Sequence, residues 1–413
     1  MNHPASGVLG VLVLFAIAIL FSSDRKAISP RVVLASFALQ VAIAVLVLFV
    51  PIGKTALSAL ASGFQTLLDY SNEGISFMFG VLGDPSNLGF IFFVRVLPVI
   101  IFFAALMEVL YYLKIMPVIV QWGGRFMQWV TGTRPIESLN TIANIFVGQA
   151  EAPLSLKPYL PTVSRYELFT IMVSGLASIA GSVMAGYVAL GISADYLIAA
   201  AFMSAPAGLM MAKIIMPVPK EIASQPVEKV EMVKDDDEED SYNNVFLAAA
   251  NGAQTGVQIA IAVGAMLIAF TSLIALINGL LGWGGGLFGF EGLTLQTILG
   301  FIFAPLMWTI GVPWEEARLA GSIFGEKIVL NEFIAYLSLV DVQDGLSEKT
   351  KVILTFALCG FANFASIGIL LGGLGTIIPE RKPEIARMGL KAVFAASLAN
   401  LMSAALAGIL VGI

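Results

Sequence analysis

The feature that most limits this chain is a succession of apolar stretches long enough to cross a lipid bilayer. A spanning helix needs about 20 predominantly apolar residues to cover roughly 30 Å of hydrocarbon. Residues 7–21, 32–52, 88–113, 168–190, 194–216, 257–281, 352–378 and 391–413 satisfy this with few polar interruptions. Eight such helices predict an all-α integral membrane protein. They exclude a transmembrane β-barrel, whose strands are short and alternate in polarity. With 58% hydrophobic and 12% charged residues, there is little polar surface to build a soluble exterior. The first stretch has no basic region ahead of it, and Asp24, Arg25 and Lys26 follow it. It reads as a retained helix and not as a signal peptide.

Single residues remove whole classes of chemistry. One cysteine, Cys359, and one histidine, His3, leave no disulfide framework, thiolate zinc site or HExxH metalloprotease within the chain. The formal charge of −6 is carried partly by the DDDEED run at residues 235–240, so it says little about partners. That run belongs to residues 217–243, which read as a solvated tether.

Basic residues set the orientation through the positive-inside rule. Arg25, Lys26 and Arg31 lie between the first two apolar stretches; Lys114, Arg125 and Arg134 follow the third; Lys157 and Arg165 precede the fourth. Arg381, Lys382 and Arg387 lie between the last two, whereas residues 278–313 contain no basic residue. These positions agree if both termini are outside and residues 217–243 are cytoplasmic. Residues 54–79 and 114–129, the latter with Trp122 and Trp129, mix polar and apolar positions at helical spacing and read as interfacial helices.

Residues 135–160 and 313–339 are apolar but interrupted by acids, amides and glycines. Non-helical backbone at membrane depth is tolerated only inside protein or beside a cavity, so both read as re-entrant hairpins. They also resemble each other: Pro135, Glu137 and Ile145-Phe146 match Pro313, Glu315 and Ile323-Phe324 at identical spacing. Ala177-Ser178-Ile179 and Ala365-Ser366-Ile367 follow, each with a further helix behind. The unit of hairpin, broken helix and helix thus occurs twice, and the charge rule makes the copies inverted. Inverted repeats with broken helices are how many secondary transporters build a site near the bilayer midplane.

The hairpins carry Asn144, Gln149 and Glu151 in one copy, and Asn331 and Glu332 in the other. A carboxylate in hydrocarbon costs several kcal/mol on insertion scales and faces a cavity or a partner. One reading pairs Glu151 or Glu332 with Arg95 or Lys327 to lock the hairpins. The other makes the acids ligands for a polar solute, helped by Gln149, which both donates and accepts. Glycines flank Ser178, Asn363 and Ser366; unwound backbone there frees carbonyls for a cation, while small-residue helix packing is the alternative.

GQAEAP at 148–153, NEFIAY at 331–336 and CGFANFASIGILLGGLG at 359–375 resemble the signatures of the concentrative nucleoside transporter family, of the bacterial, sodium-coupled type. The resemblance covers most of the chain and implies a homotrimer in the cell inner membrane, with an elevator-like motion. It implies scaffold helices at 1–113 and 244–281, an interfacial helix at 114–134 and an interfacial segment at 282–312. The moving repeats would be 135–216 and 313–413, with an acidic linker at 217–243. Gln149 and Glu151 would hydrogen-bond the nucleobase, with Val183 packing on it. Glu332, Asn363 and Ser366 would hold the ribose, with Phe361 nearby. Sodium would be held by the side chains of Asn144 and Ser178 and by carbonyls of Val147, Ser178 and Ile179. Ala150 departs from the family pattern, since relatives often carry Ser or Thr there, and this puts base preference in doubt.

The function expected is therefore sodium-coupled uptake of uridine-like nucleosides, with proton coupling on the same fold as the alternative. An intramembrane enzyme would need a Ser–Lys, paired-Asp or zinc constellation, and no such set is visible. A channel is poorly served by inverted hairpins, and a purely structural protein leaves the buried acids unexplained.

Overall fold

The structure, a computed structural model, describes residues 4–83, 91–223, 244–290 and 292–411. His3, the start of the apolar stretch at 88–113 and the acidic run at 235–240 lie outside the described residues. Every regular element among those described is helical.

The chain begins with α1 (Pro4–Leu20), α2 (Pro30–Leu48) and α3 (Pro51–Phe79). Arg25 closes the first helix by donating to the carbonyls of Ile19 and Leu20 at 3.0 and 2.8 Å, which would otherwise lack donors at a helix C-terminus. Prolines open α2 and α3, where the missing N–H is harmless. Next come α4 (Phe92–Tyr112) and α5 (Ile115–Thr131), separated by a sharp turn at Lys114, whose φ is 60°. One face of α5 buries Met116, Val120 and Met127, while Trp122 and Trp129 stay exposed.

Two successive groups follow the same order. The first is α6 (Pro135–Ala143), a 3-10 turn at Ala152–Leu156, the broken pair α7 (Arg165–Ala177) and α8 (Gly181–Ala189), and α9 (Ala194–Ile215). Between the groups run α10 (Val245–Leu287) and α11 (Leu295–Thr309). The second group is α12 (Trp314–Val329), α13 (Glu332–Val342), the broken pair α14 (Glu348–Leu358) and α15 (Ala365–Ile377), and α16 (Lys382–Val411). Two helical pieces joined by a bend, a broken helix and a further helix therefore recur in the same order.

Helices α9 and α16 form the centre. In the most apolar window of α9 94% of residues are buried, against 11% for α10, so α9 is core and α10 is an outer wall. Small residues let the central helices approach closely. A methyl at Gly208 of α9 would lie 3.3 Å from both Ser174 Cα and Ala177 Cβ of α7. The wall helix is held the same way, since a methyl at Gly256 of α10 would lie 2.6 Å from Ile101 Cα of α4.

By length and composition, six helices among the described residues are able to cross a membrane, or seven if the bent pair α11–α12 is one span. Two of the expected stretches fall short for different reasons. The apolar part of α1, Gly7–Leu20, is brief, and the stretch at 352–378 is interrupted between α14 and α15. Residues 282–312, expected as one interfacial segment, divide between the end of α10 and α11. Helix α11 lies directly on α12, because Gly300 would place a Cβ 2.8 Å from Arg318 O and Gly321 one 2.8 Å from Ala304 N.

Candidate functional site

The two groups present their irregular backbone to one cavity of about 390 Å³. The bend after α6 contributes Gly148, Gln149, Ala150 and Glu151, and the start of α8 contributes Ala180 and Val183. The bend between α12 and α13 contributes Asn331, Glu332 and Phe333; the break after α14 and the start of α15 contribute Phe361, Asn363 and Ser366. All eight residues expected to meet a nucleoside, Gln149, Ala150, Glu151, Val183, Glu332, Phe361, Asn363 and Ser366, thus line a single space.

Local chemistry makes these bends. Asn144 closes α6, and Glu151 Oε2 accepts from the Gly148 N–H at 2.9 Å, curling the bend on itself. The bend is seated on α7 and α8: Gly181 N–H donates to Phe146 O at 2.9 Å, and a methyl at Gly175 would meet Gln149 Cβ at 2.9 Å. In the second group Asn331 caps α13 by accepting from Ile334 N–H at 2.9 Å, the usual work of an Asn at that position.

Glu332 is buried, and each of its carboxylate oxygens accepts one hydrogen bond. Its carboxylate accepts from Tyr187 Oη at 3.0 Å and from Asn363 Nδ2 at 2.8 Å, and Asn363 Oδ1 in turn accepts from Ser366 N–H at 2.8 Å. Glu332, Asn363 and Ser366 are therefore one hydrogen-bonded unit spanning the second hairpin and the second break. The ion-pair reading of the acids is not realised. Lys327 Nζ donates to Ala357 O and Asn400 Oδ1, both at 2.7 Å, and Arg95 donates to Gly83 O at 2.7 Å.

A second polar region lies behind the first bend. Asn144 Nδ2 donates to Asn140 O at 2.7 Å, and Ser178 Oγ donates to Asn144 O. Asn144 Oδ1 is buried and has no hydrogen-bond partner, as is true of Gln149 Oε1. Buried polar atoms are normally satisfied, so these two oxygens are free to accept from a donor or to meet a cation. Val147 and Ile179, both buried, neighbour Asn144 and Ser178 in the chain. A neutral amide oxygen, a hydroxyl and backbone carbonyls form a donor set suited to a small hard cation. Among the described residues no cluster of three His, Cys, Asp or Glu side chains is able to hold a metal.

Several lining groups carry no local sequence signal. The cavity's outer wall comes from α10, through Gln258, Ile259, Val263 and Met266. Tyr187, which holds Glu332, is packed between Phe333 and Tyr336 at ring distances of 4.7 and 4.5 Å. Another cavity, of about 260 Å³, lies between α2, α6 and α7. Its acids are committed, Glu137 to Lys213 and Glu167 to Arg134, so it offers a solute less than the larger space does.

Comparison with known proteins bears on the same residues. The family model for the Na+ dependent nucleoside transporter C-terminus matches residues 196–408, and that for its N-terminus matches residues 9–82. A model described as nucleoside recognition matches residues 93–194. The nucleoside permease NupC of Helicobacter pylori is 48% identical over 98% of this chain and 97% of its own length. The structure of CNTnw in an inward-facing, substrate-bound state is 47% identical, with a TM-score of 0.92 over 99% of this chain and 98% of that one. A doubly substituted CNTnw in an outward-facing state, also 47% identical, matches with a TM-score of 0.93 over 99% of both chains.

Proposed function

This chain belongs to the Na+ dependent nucleoside transporter family, a family of transporters and not enzymes, and we propose that it is a sodium-coupled symporter that brings uridine-like nucleosides into the cell. The observation that carries this reading is the convergence of both hairpin bends and both helix breaks on one cavity. A solute held there touches every element that has to move with it.

In this reading Gln149 and Glu151 take the base edge. Gln149 Oε1, buried without a partner, accepts from a base N–H, and Val183 packs on the ring. Glu332 accepts from the ribose hydroxyls, its remaining lone pairs aimed by Tyr187 and Asn363, while Ser366 and Phe361 complete that end. Ala150 supplies no hydroxyl. Sodium sits among the Asn144 and Ser178 side chains and the carbonyls of Val147, Ser178 and Ile179. The orphaned Asn144 Oδ1 supports a cation over a proton, because an amide oxygen coordinates but does not titrate.

The bends are re-entrant, the repeats are inverted, and both termini lie outside the inner membrane. Three subunits associate, and residues 135–216 and 313–413 move as one body against the scaffold of 1–113 and 244–281. Residues 114–134 lie at the interface, and the charged composition of 217–243 suits a cytoplasmic tether. That CNTnw is solved both inward- and outward-facing supports alternating access. Calorimetric titration of the purified protein with uridine, in sodium and then in choline buffer, tests the reading. Binding is expected in sodium and weak in choline; equal binding in both would remove the cation from the site.

A further inference from the structure

The two broken helices are joined to each other by hydrogen bonds of their own. Phe361 N–H, in the second break, donates to Ser178 O, in the first, at 3.2 Å. Beside this bond, Asn400 Nδ2 of α16 donates to Ala177 O at 2.7 Å and to Cys359 O at 2.9 Å. Those carbonyls end α7 and α14. Asn400 Oδ1 accepts from Lys327 Nζ at 2.7 Å, and Lys327 Nζ also donates to Ala357 O at 2.7 Å. Both side chains are buried, Lys327 at 0% exposure and Asn400 at 1%, so water does not compete for these bonds.

The last carbonyls of a helix have no intrahelical donor, and a break inside an apolar body leaves them without water as well. Here one amide and one amine serve the ends of both helices together. Gly360 leaves the room: a Cβ there would lie 2.4 Å from Asn400 Oδ1 and 2.8 Å from Ala177 O. Lys327 stands in the last turn of α12, just ahead of Asn331 and Glu332, so the second hairpin is tied to the same junction.

We propose that Lys327 and Asn400 are positioning residues that couple the cation site to the nucleoside site, an inference that rests on the sodium-coupled reading above. A cation drawn to Ser178 and Ile179 fixes the end of α7. Ala177 O and Ser178 O then hold Asn400 and Phe361 N–H, and through them the second break keeps the geometry in which Asn363 and Ser366 meet the ribose. The effect runs equally in reverse, because coupling between two binding sites is reciprocal.

The test is the ratio of uridine dissociation constants at low and at saturating sodium, measured on purified full-length protein. Asn400→Asp keeps an acceptor for Lys327 and removes both donors to Ala177 and Cys359, and Lys327→Met removes the amine. The wild type is expected to show a ratio of at least about fivefold and both variants a ratio below about twofold. A junction that merely supports the fold would lower the melting temperature and leave the wild-type ratio intact, and that result overturns the inference. If Asn400→Asp does not purify, Gly360→Ala presses on the same contact and is read by the same ratio. A wild type with no sodium dependence would overturn the sodium-coupled reading first and this inference with it. The two failures are distinguishable because one appears in the wild type and the other only in the variants.

Discussion

Glu332 shows how much of the site rests on single hydrogen bonds. Its carboxylate is held by Tyr187 and Asn363 inside the protein, and bonds to a charged group contribute about 1.5–3 kcal/mol. Glu332→Gln places an N–H where a hydroxyl donor needs an acceptor, so uridine binding is expected to weaken at least about tenfold in calorimetry. Tyr187→Phe keeps the packing on Phe333 and Tyr336 and loses only the hydroxyl. It is expected to weaken uridine binding about tenfold; binding at wild-type strength would mean that Glu332 needs no such support. Asn144→Ala removes an orphaned oxygen and is expected to raise the sodium concentration for half-maximal uridine binding by about tenfold or more. At this scale the sequence was informative wherever a polar residue broke an apolar run, as at Gln149, Glu151 and Glu332. It was silent on Tyr187, Gln258 and Asn400, whose roles depend on which neighbour each helix face meets.

Among elements, the breaks and the helix crossings organise the molecule. The recurring order of bend, broken helix and helix was legible because glycines and polar residues interrupt runs that bilayer thickness otherwise demands. The residue matches were less reliable than that order. Ser178 ends α7 ahead of the first break, whereas Ser366 lies beyond the second, inside α15. Ile145-Phe146 lies in the first bend, whereas Ile323-Phe324 is within α12. Similar tripeptides thus occupy different places in units of the same order. Helix α11 was missed because its 15 residues are too short for a span and include Pro305; its glycine crossing with α12 shows where it belongs. The crossing of α4 and α10 offers a direct check. Gly256→Leu drives side-chain atoms into the Ile101 backbone, and overpacking of this kind costs about 1–3 kcal/mol. A lower melting temperature is expected, whereas an unchanged one would show that the pair separates freely.

At the scale of the whole molecule, the moving-body reading makes the contact between α2 and α16 decisive. Gln40 Nε2 of α2 donates to Ser403 Oγ of α16 at 2.9 Å, and α2 belongs to the proposed scaffold while α16 belongs to the body that travels. Cysteines substituted at Gln40 and Ser403 and bridged by mercuric ion are expected to stop uptake, with recovery on adding thiol; transport that continues while bridged would replace the travelling body with local gating. The central claim, that a sodium ion and a nucleoside cross together, is tested most directly in proteoliposomes loaded without sodium. Uptake of radiolabelled uridine is measured with an inward sodium gradient alone and then with an inward proton gradient alone. Concentrative uptake is expected under the sodium gradient and only equilibration under the proton gradient. Concentrative uptake driven by protons and indifferent to sodium would contradict it.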